Sequence, residues 1–323
     1  MTRRANEMDL KRYIIDEGLG LGFSKIGVAP AEYQPVYHNK HINWLKNGYY
    51  ADMDYLERGT RKRFDPKVHI PAAASVIVCA HNYYTEPTNN PRKGYVSIYA
   101  RGEDYHIVVN DKLRELCEKI KSEAGEFQFK TMVDTTPISE KTFAALAGIG
   151  FVGRNNTLII PKDRSDDNSP RGSFHFLGVI ITDLELEPDS PIEGTCGKCT
   201  KCVDACPTGA IVDDRTIDSN RCISYHTTQN KGEIPEDIAA EMKNMFWGCD
   251  ICQIVCPYNS RSIPTSEPRF DPKGLLTEFE PGDFLESSEE EFESRFRGTA
   301  IFDLGIERAR RNARVIIENI NNI

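Results

Sequence analysis

Apolar positions in the first half of the chain switch repeatedly between helical and strand spacing. Leu10, Tyr13, Ile14 and Glu17 suit an amphipathic helix that the glycines at 18, 20 and 22 bring to an end. Residues 23–28 then read as a short strand before Pro30. Residues 75–80, Ser-Val-Ile-Val-Cys-Ala, are short, apolar and β-branched, as a buried strand requires. Val109, Leu113, Leu116, Cys117 and Ile120 return to helical spacing, and Gly125 stops that helix. Residues 127–133 alternate and predict a strand. Residues 139–147 predict a helix with Gly148 and Gly150 just past its end. Residues 157–160 and 174–182 read as two more strands, separated by an Asp-, Ser- and Pro-containing surface loop over 163–172. Helices and strands alternate without a regular βαβ rhythm, so the expected class is α+β, a mixed α/β domain.

The pattern changes near residue 184. Pro188, Pro191 and Gly194 form an entry linker, and residues 184–264 read as loops and turns with a short helix over 235–246. Pro264, Pro268, Pro272 and Pro281 predict an extended run over the surface. An acidic helix start follows around 289–296. Ile306, Ala309, Ala313, Ile316, Ile317 and Ile320 then suit a docked terminal helix. Three regions are expected: 1–183, 184–264 and 265–323.

Charge narrows the partners. The 323 residues carry a formal net charge of −9, which argues against a generally basic nucleic-acid binder but leaves room for a local basic face. Arg58, Arg61, Lys62 and Arg63 form one cationic cluster, and Arg308, Arg310, Arg311 and Arg314 another. Either is as readily a solvated surface as a contact face. No run approaches the ~18–20 apolar residues of a membrane span. The chain opens Met-Thr-Arg-Arg-Ala-Asn-Glu without an apolar signal core. A soluble cytoplasmic protein with no membrane partner is expected.

The cysteines carry the chemistry. Cys196-x-x-Cys199-x-x-Cys202-x-x-x-Cys206-Pro207 is followed by Cys249-x-x-Cys252-x-x-x-Cys256-Pro257, with Cys222 between them. This is the ligand run of a bacterial two-cluster ferredoxin with its second motif stretched. Three thiolates two residues apart wrap one cube, and the cysteine before proline reaches the other. On that logic one cluster takes Cys196, Cys199, Cys202 and Cys256. The other takes Cys206, Cys249, Cys252 and Cys222. Zinc is the main alternative, but zinc sites usually use two separated pairs. Disulfides would need an oxidising compartment. Cys79 and Cys117 sit in apolar stretches and read as buried core thiols.

Other cofactor signatures are absent. There is no Gly-x-Gly-x-x-Gly after a strand and no Walker loop. Asp104-Tyr105-His106 begins like the Asp-x-His-x-x-Gly motif of some cobalamin proteins, but Val109 replaces the glycine. His106 therefore reads as a structural or supporting histidine rather than a metal ligand.

Taken together, these features resemble the epoxyqueuosine reductase family over nearly the whole chain. The carriers begin with Tyr99-Ala-Arg-Gly-Glu-Asp-Tyr-His106, Val133-Asp134-Thr-Thr-Pro137 with Glu140, and Ala147-Gly-Ile-Gly-Phe-Val-Gly-Arg154. They continue with the first cysteine run, Cys222-Ile-Ser-Tyr225, Lys231-Gly232, Trp247-Gly-Cys-Asp-Ile-Cys-Gln-Ile-Val-Cys-Pro257, Arg297-Gly-Thr-Ala300 and Arg311-Asn312. The resemblance implies a cobalamin-binding domain with a reductive-dehalogenase-like core, fused to a two-cluster ferredoxin-like domain and a short helical C-terminus. It implies an oxidoreductase of queuosine biosynthesis that reduces epoxyqueuosine to queuosine at the wobble base of tRNA. The cofactors implied are two 4Fe–4S clusters and base-off cobalamin, fed by an unidentified low-potential electron donor.

The same resemblance implies roles for particular residues. Asp134 becomes the proton donor, and a general acid there would need burial beside an apolar corrin to raise its pKa. The alternative is an Asp that caps the turn before Pro137. Cofactor contacts carry over to Arg58, Ser97, Asp134, Tyr225, Asp250 and Ile251, with some relatives holding cysteine where Ser97 stands. Lys231 carries over as an RNA contact. Some relatives continue into a helical-repeat extension that helps hold tRNA, and this chain stops at Ile323. Two other readings use the same parts: another corrinoid iron–sulfur reductase acting on a small molecule, and a pure electron carrier. The long N-terminal region weighs against the carrier.

Overall fold

A computed structural model describes residues 2–87, 90–163, 165–272, 277 and 279–322, the side chains of residues 2–8 excepted. The first part of the chain runs α1 (Thr2–Gly20), β1 (Lys25–Pro30), α2 (Pro35–Lys46), β2 (Ser75–Asn82), β3 (Tyr95–Val96), α3 (Tyr105–Ala124), β4 (Phe129–Met132) and α4 (Glu140–Leu146). It continues through β5 (Phe151–Val152), β6 (Leu158–Ile159) and β7 (His175–Thr182). The middle holds α5 (Lys201–Asp204), β8 (Ile211–Asp213), β9 (Thr216–Ile217), α6 (Ile223–Thr228), α7 (Glu236–Glu241), β10 (Met245–Trp247) and α8 (Ile251–Ile254). Three helices close the chain: α9 (Asp283–Glu286), α10 (Glu289–Phe296) and α11 (Gly305–Asn321).

The central sheet has four strands in the order β1-β2-β7-β4, and every pair in it is antiparallel. Side chains alternate across it. Ile77 and Cys79 of β2 and Ile180 of β7 face Ile14 of α1 and Val109, Leu113, Leu116, Cys117 and Ile120 of α3. Val76, Val78 and Ala80 of β2, with Val179 and Ile181 of β7, face Phe143 and Ala144 of α4. Cys79 and Cys117 are free thiols inside the first of these cores, as their apolar neighbours suggest. A Cβ at Gly27 would stand 2.1 Å from the Ala147 carbonyl oxygen, so β1 meets the end of α4 only because residue 27 has no side chain.

A third core draws on all three expected regions. It joins Tyr95, Val96 and Ala100 to Ile223, Met242, Phe246 and Trp247, and to Phe284, Phe296, Ala309 and Ile316 of the C-terminal helices. Its seam is a parallel pairing of β3 with β10. That pairing corrects the expected helix over 235–246. The helix α7 ends at Glu241, and 245–247 leave it to bond a strand some 150 residues upstream. The expected extended surface run after Pro264 is also partly buried. Phe270 packs 5.2 Å from the His81 ring, and Glu267 is 8 % exposed beside Lys112 at 2.7 Å. α2 had no apolar period to announce it, and none of its residues is buried.

Candidate active site

The two cysteine motifs fold into matching turns. In each, one turn of helix, α5 or α8, follows the early cysteines, and the chain leaves through Cys-Pro. The structure gathers the eight cysteines into two sets around two cavities. Cys196, Cys199, Cys202 and Cys256 line one of about 270 Å³, with Lys201 and Tyr258. Cys206, Cys222, Cys249 and Cys252 line the other, of about 50 Å³, with Ile251. The cysteine before proline thus stands in the other motif's set in both cases. Among the described residues no three His, Cys, Asp or Glu side chains close on a single ion, so each quartet surrounds a space rather than a point. Backbone N–H groups aim at two of the sulfurs, Arg154 N to Cys196 Sγ and Ala210 N to Cys206 Sγ, each at 3.3 Å. Such bonds tune a cluster's potential. Burial raises the thiols of Cys222 and Cys249 and pushes Cys252 up to about 12, so thiolate ligation there releases protons.

Asp250 lies between two of these cysteines and is 2 % exposed. Its Oδ2 accepts from the Tyr95 hydroxyl and from the Ile98 N–H, both at 2.8 Å, and burial raises its pKa. Ser97 has no accessible surface, and its N–H donates to the Trp247 carbonyl at 2.8 Å. Gly248 has φ +70, and a Cβ there would stand 2.3 Å from Ser97 Oγ. These contacts make Ser97 and Asp250 braces for the segment carrying Tyr99. Tyr225 is 8 % exposed, and its hydroxyl is given to Asp52.

A second cluster of polar groups forms where the start of α3, the end of β4 and the start of α4 meet. Asp104 caps α3, accepting from the His106 N–H at 2.9 Å and lying 2.8 Å from His106 Nδ1. His106 Nε2 stands 3.5 Å from Asp134 Oδ2, which also accepts from the Tyr105 hydroxyl at 2.8 Å. The Tyr105 ring is fixed in a stack on Phe176 at 4.4 Å. Asp134 takes a left-handed backbone, φ +50, and its N–H donates to Glu140 Oε1 at 2.9 Å.

The electrostatics of this group couple Asp134 to His106. The hydrogen bond from His106 outweighs dehydration and, with Tyr105, holds the Asp134 carboxyl below its ordinary value. Burial works against the charged form of His106, but Asp104 and Asp134 together push it up to about 9. Burial and the Asp134 charge push Glu140 up to about 7. His106 is thus held toward its charged form and Asp134 toward its carboxylate. Tyr99 links this site to the cysteine cavities. It packs against two cores, and burial and the charges of Asp250 and Asp134 raise its hydroxyl.

The two cationic stretches part company. Arg311 is 8 % exposed and donates to the carbonyls of Asn230 and His226, each at 2.8 Å. Arg308 donates to the Thr228 carbonyl at 3.2 Å, and Asn312 to that of Thr227 at 2.9 Å. These side chains cap α6 and fix the turn that exposes Lys231, so most of this stretch is structural. The other stretch borders the Asp134 site. The Arg63 carbonyl accepts from Ser139 N at 2.8 Å, while Arg58 and Lys62 are exposed.

Sequence comparison decides the family. A profile described as "Epoxyqueuosine reductase QueG, DUF1730" matches residues 63–135, and one described as "4Fe-4S double cluster binding domain" matches 195–259. The epoxyqueuosine reductase of Cellulophaga algicola is 38 % identical over 285 residues, covering 88 % of this chain and 90 % of its own. The chain belongs to the epoxyqueuosine reductase family. Among solved members, one with an epoxyqueuosine-modified tRNA-Tyr stem loop superposes with a TM-score of 0.88 at 32 % identity, covering 97 % of this chain and 82 % of that one. An epoxyqueuosine reductase from Bacillus subtilis, solved with its catalytic loop swung out of the active site, gives 0.89 at 31 %, covering 98 % and 82 %. The α+β fold of this chain is thus an epoxyqueuosine reductase fold. No helix among its described residues is long and apolar enough to cross a membrane.

Proposed function

We propose that this chain reduces epoxyqueuosine to queuosine at the wobble position of tRNA, using two 4Fe–4S clusters and cobalamin, in the cytoplasm. The observation that carries the reading is a continuous line of groups. Two cysteine quartets lead to Asp250, Asp250 to Tyr99, and Tyr99 to the Tyr105–Asp134–His106 group. A pure electron carrier has no use for the last of these.

The residues present fit a base-off corrin. Both nitrogens of His106 face carboxylates, so this imidazole is not free to ligate cobalt. The Asp134 side chain is 68 % exposed, leaving an open carboxyl edge, and Arg63 Nε is buried without a partner beside it. Cobalamin, when bound, supplies the low-potential centre for carbon–oxygen cleavage. The region 1–183 holds that group and the substrate, 184–264 holds the clusters, and 265–323 packs on both.

Converting the epoxide to an alkene consumes two electrons and two protons and releases water. Cys196, Cys199, Cys202 and Cys256 hold one cluster, and Cys206, Cys222, Cys249 and Cys252 the other. When bound, these clusters would supply one-electron transfer from an external low-potential donor. Asp134 relays to the oxygen that leaves the ring the proton that rests on His106, and solvent supplies the second proton and recharges the imidazole. The two groups titrate as a pair, with the resting proton on the imidazole. Tyr105 fixes the direction of the carboxyl. Arg58 and Lys231 are exposed cations available to RNA phosphates. The test is anaerobic incubation of the reconstituted protein with epoxyqueuosine-containing tRNA and a low-potential reductant, followed by nucleoside mass spectrometry. Loss of one oxygen from the modified base is expected. Unchanged epoxyqueuosine with both cofactors loaded would defeat the reading.

A further inference from the structure

We infer that Glu140 is the positioning residue for Asp134: its carboxylate holds the Asp134 N–H and thereby sets where the Asp134 carboxyl stands. The segment 133–139 is tied at both ends. Before it, Met132 pairs with Val179 in the sheet, and at its far end Ser139 N donates to the Arg63 carbonyl at 2.8 Å. Between these ends the backbone bonds are mostly local, such as Ile138 N to the Thr136 carbonyl at 2.7 Å and Thr135 Oγ1 to the Val133 carbonyl at 3.2 Å, with His69 Nε2 reaching the Pro137 carbonyl at 3.2 Å. The 2.9 Å bond from Asp134 N to Glu140 Oε1 is what ties the Asp134 peptide itself to α4.

Asp134 needs such a tie. Its φ of +50 is a left-handed conformation that a residue with a Cβ enters reluctantly. Rotation to the ordinary right-handed or extended region would swing the carboxyl away from Tyr105 and His106. Glu140 can hold it because its backbone is anchored by a packed helix. It is the first residue of α4, and Thr142, Phe143 and Ala144 behind it are buried. The contact brings two carboxyls together, and Glu140 is correspondingly raised to about 7 by burial and by the Asp134 charge. The nearby cations of Arg63 and Lys141 offset the repulsion. Lys141 is held in place by donating to the Asn156 carbonyl at 2.8 Å.

The inference rests on the proposed role of Asp134, but its readout does not. Glu140→Ala removes the acceptor, Glu140→Asp shortens it by one methylene, and Glu140→Gln keeps an oxygen for the Asp134 N–H. Amide hydrogen exchange of 133–138 is measured in the cofactor-loaded protein, with α3 and β7 as internal references, alongside kcat and KM for modified tRNA. Loss of a charge-assisted bond of this kind should speed exchange of the segment roughly 10- to 100-fold in the Ala and Asp variants. A similar fall in kcat and little change in KM should accompany it. Glu140→Gln should stay within about threefold of the parent in exchange, because the acceptor survives. Unchanged exchange at 133–138 in folded Glu140→Ala, or in Glu140→Asp should the Ala variant not fold, overturns the assignment. Full turnover by Asp134→Asn would instead remove Asp134 from the chemistry and leave the exchange result standing.

Discussion

Asp134→Asn isolates the proton step with little disturbance of the fold. The parent side chain is 68 % exposed, so its replacement leaves the packing alone, and the stability cost is that of the lost charged pairing with His106, roughly 0.2–1 kcal/mol. Asparagine tolerates a left-handed backbone about as well as aspartate, so the φ of +50 survives. The amide oxygen still accepts from Tyr105, now 2.8 Å from Oδ2. What disappears is the ability to carry a proton from His106, 3.5 Å away, to the departing oxygen. Proton transfer by a placed group is worth roughly 10²–10⁴-fold. That factor corresponds to about 3–5 kcal/mol of barrier. Single-turnover reduction of modified tRNA under anaerobic conditions should therefore slow by that factor, while iron content, corrin absorbance and tRNA affinity hold. Full turnover by the loaded variant would refute the reasoning and leave Asp134 as a turn residue. Loss of cobalamin would make it a cofactor contact.

Further outcomes follow from other parts of the molecule. Reconstituted protein should carry about eight irons and negligible zinc per chain, by metal analysis; four irons would contradict the two-quartet arrangement. Cys256→Ala should damage the cluster of the first motif and Cys206→Ala that of the second, read by electron paramagnetic resonance; the reverse pattern would exchange the assignments. Reversing charge at Arg58 and Lys62 should weaken binding of every cognate tRNA alike and flatten its salt dependence, because phosphate contacts carry no sequence information; an unchanged salt slope would leave them as plain surface. Arg311→Ala leaves at least two buried carbonyls without a donor, at ~1–3 kcal/mol each, so a loss on the order of 3 kcal/mol is expected in denaturant melts. His106 is raised to about 9, so its proton and the stability of its charged pairing are present below the ordinary histidine range and lost as pH rises through about 9. Turnover should fall on that limb, and Asp104→Asn, which removes the strongest upward influence, should move the limb to lower pH.

The sequence exposed whatever depends on neighbours along the chain. The buried strand at Ser75–Asn82, the α3 stripe ending at Gly125 and the acidic start of α10 all follow from period and caps. The cysteine spacing implied the crossed quartets because ligand geometry is local to each motif. Partners distant in sequence were hidden. Met245 and Phe246 looked helical, but Met245–Trp247 pairs with Tyr95–Val96. The Arg308–Arg314 stretch looked like an open cationic face, but Arg308 and Arg311 reach carbonyls some 80 residues upstream. Asp134 was expected to hold its own proton in an apolar place. Its coupling to His106, 28 positions earlier and 3.5 Å away, was not legible in the spacing. Glu140 was visible as part of a motif and carried no role, since nothing in its local sequence says that its carboxylate turns back to the Asp134 amide.

The seam between β3 and β10 has a consequence for how the enzyme comes into being. The strand Tyr95–Val96, the Ser97–Ile98 corner and Tyr99 are pinned by Trp247 and Asp250, which flank Cys249. Asp250 keeps its place only while the turn between Cys249 and Cys252 keeps its shape, and a metal-binding turn takes its shape from the metal. A chain made in iron-starved cells should therefore lose more than its wiring. The wall of the reaction chamber should loosen with the turn, and proteases should cut near 95–100 in unloaded protein and spare it once both quartets are filled. Maturation of the electron path and completion of the chamber would then be one event, so a half-built enzyme has no finished chamber in which to start the reaction.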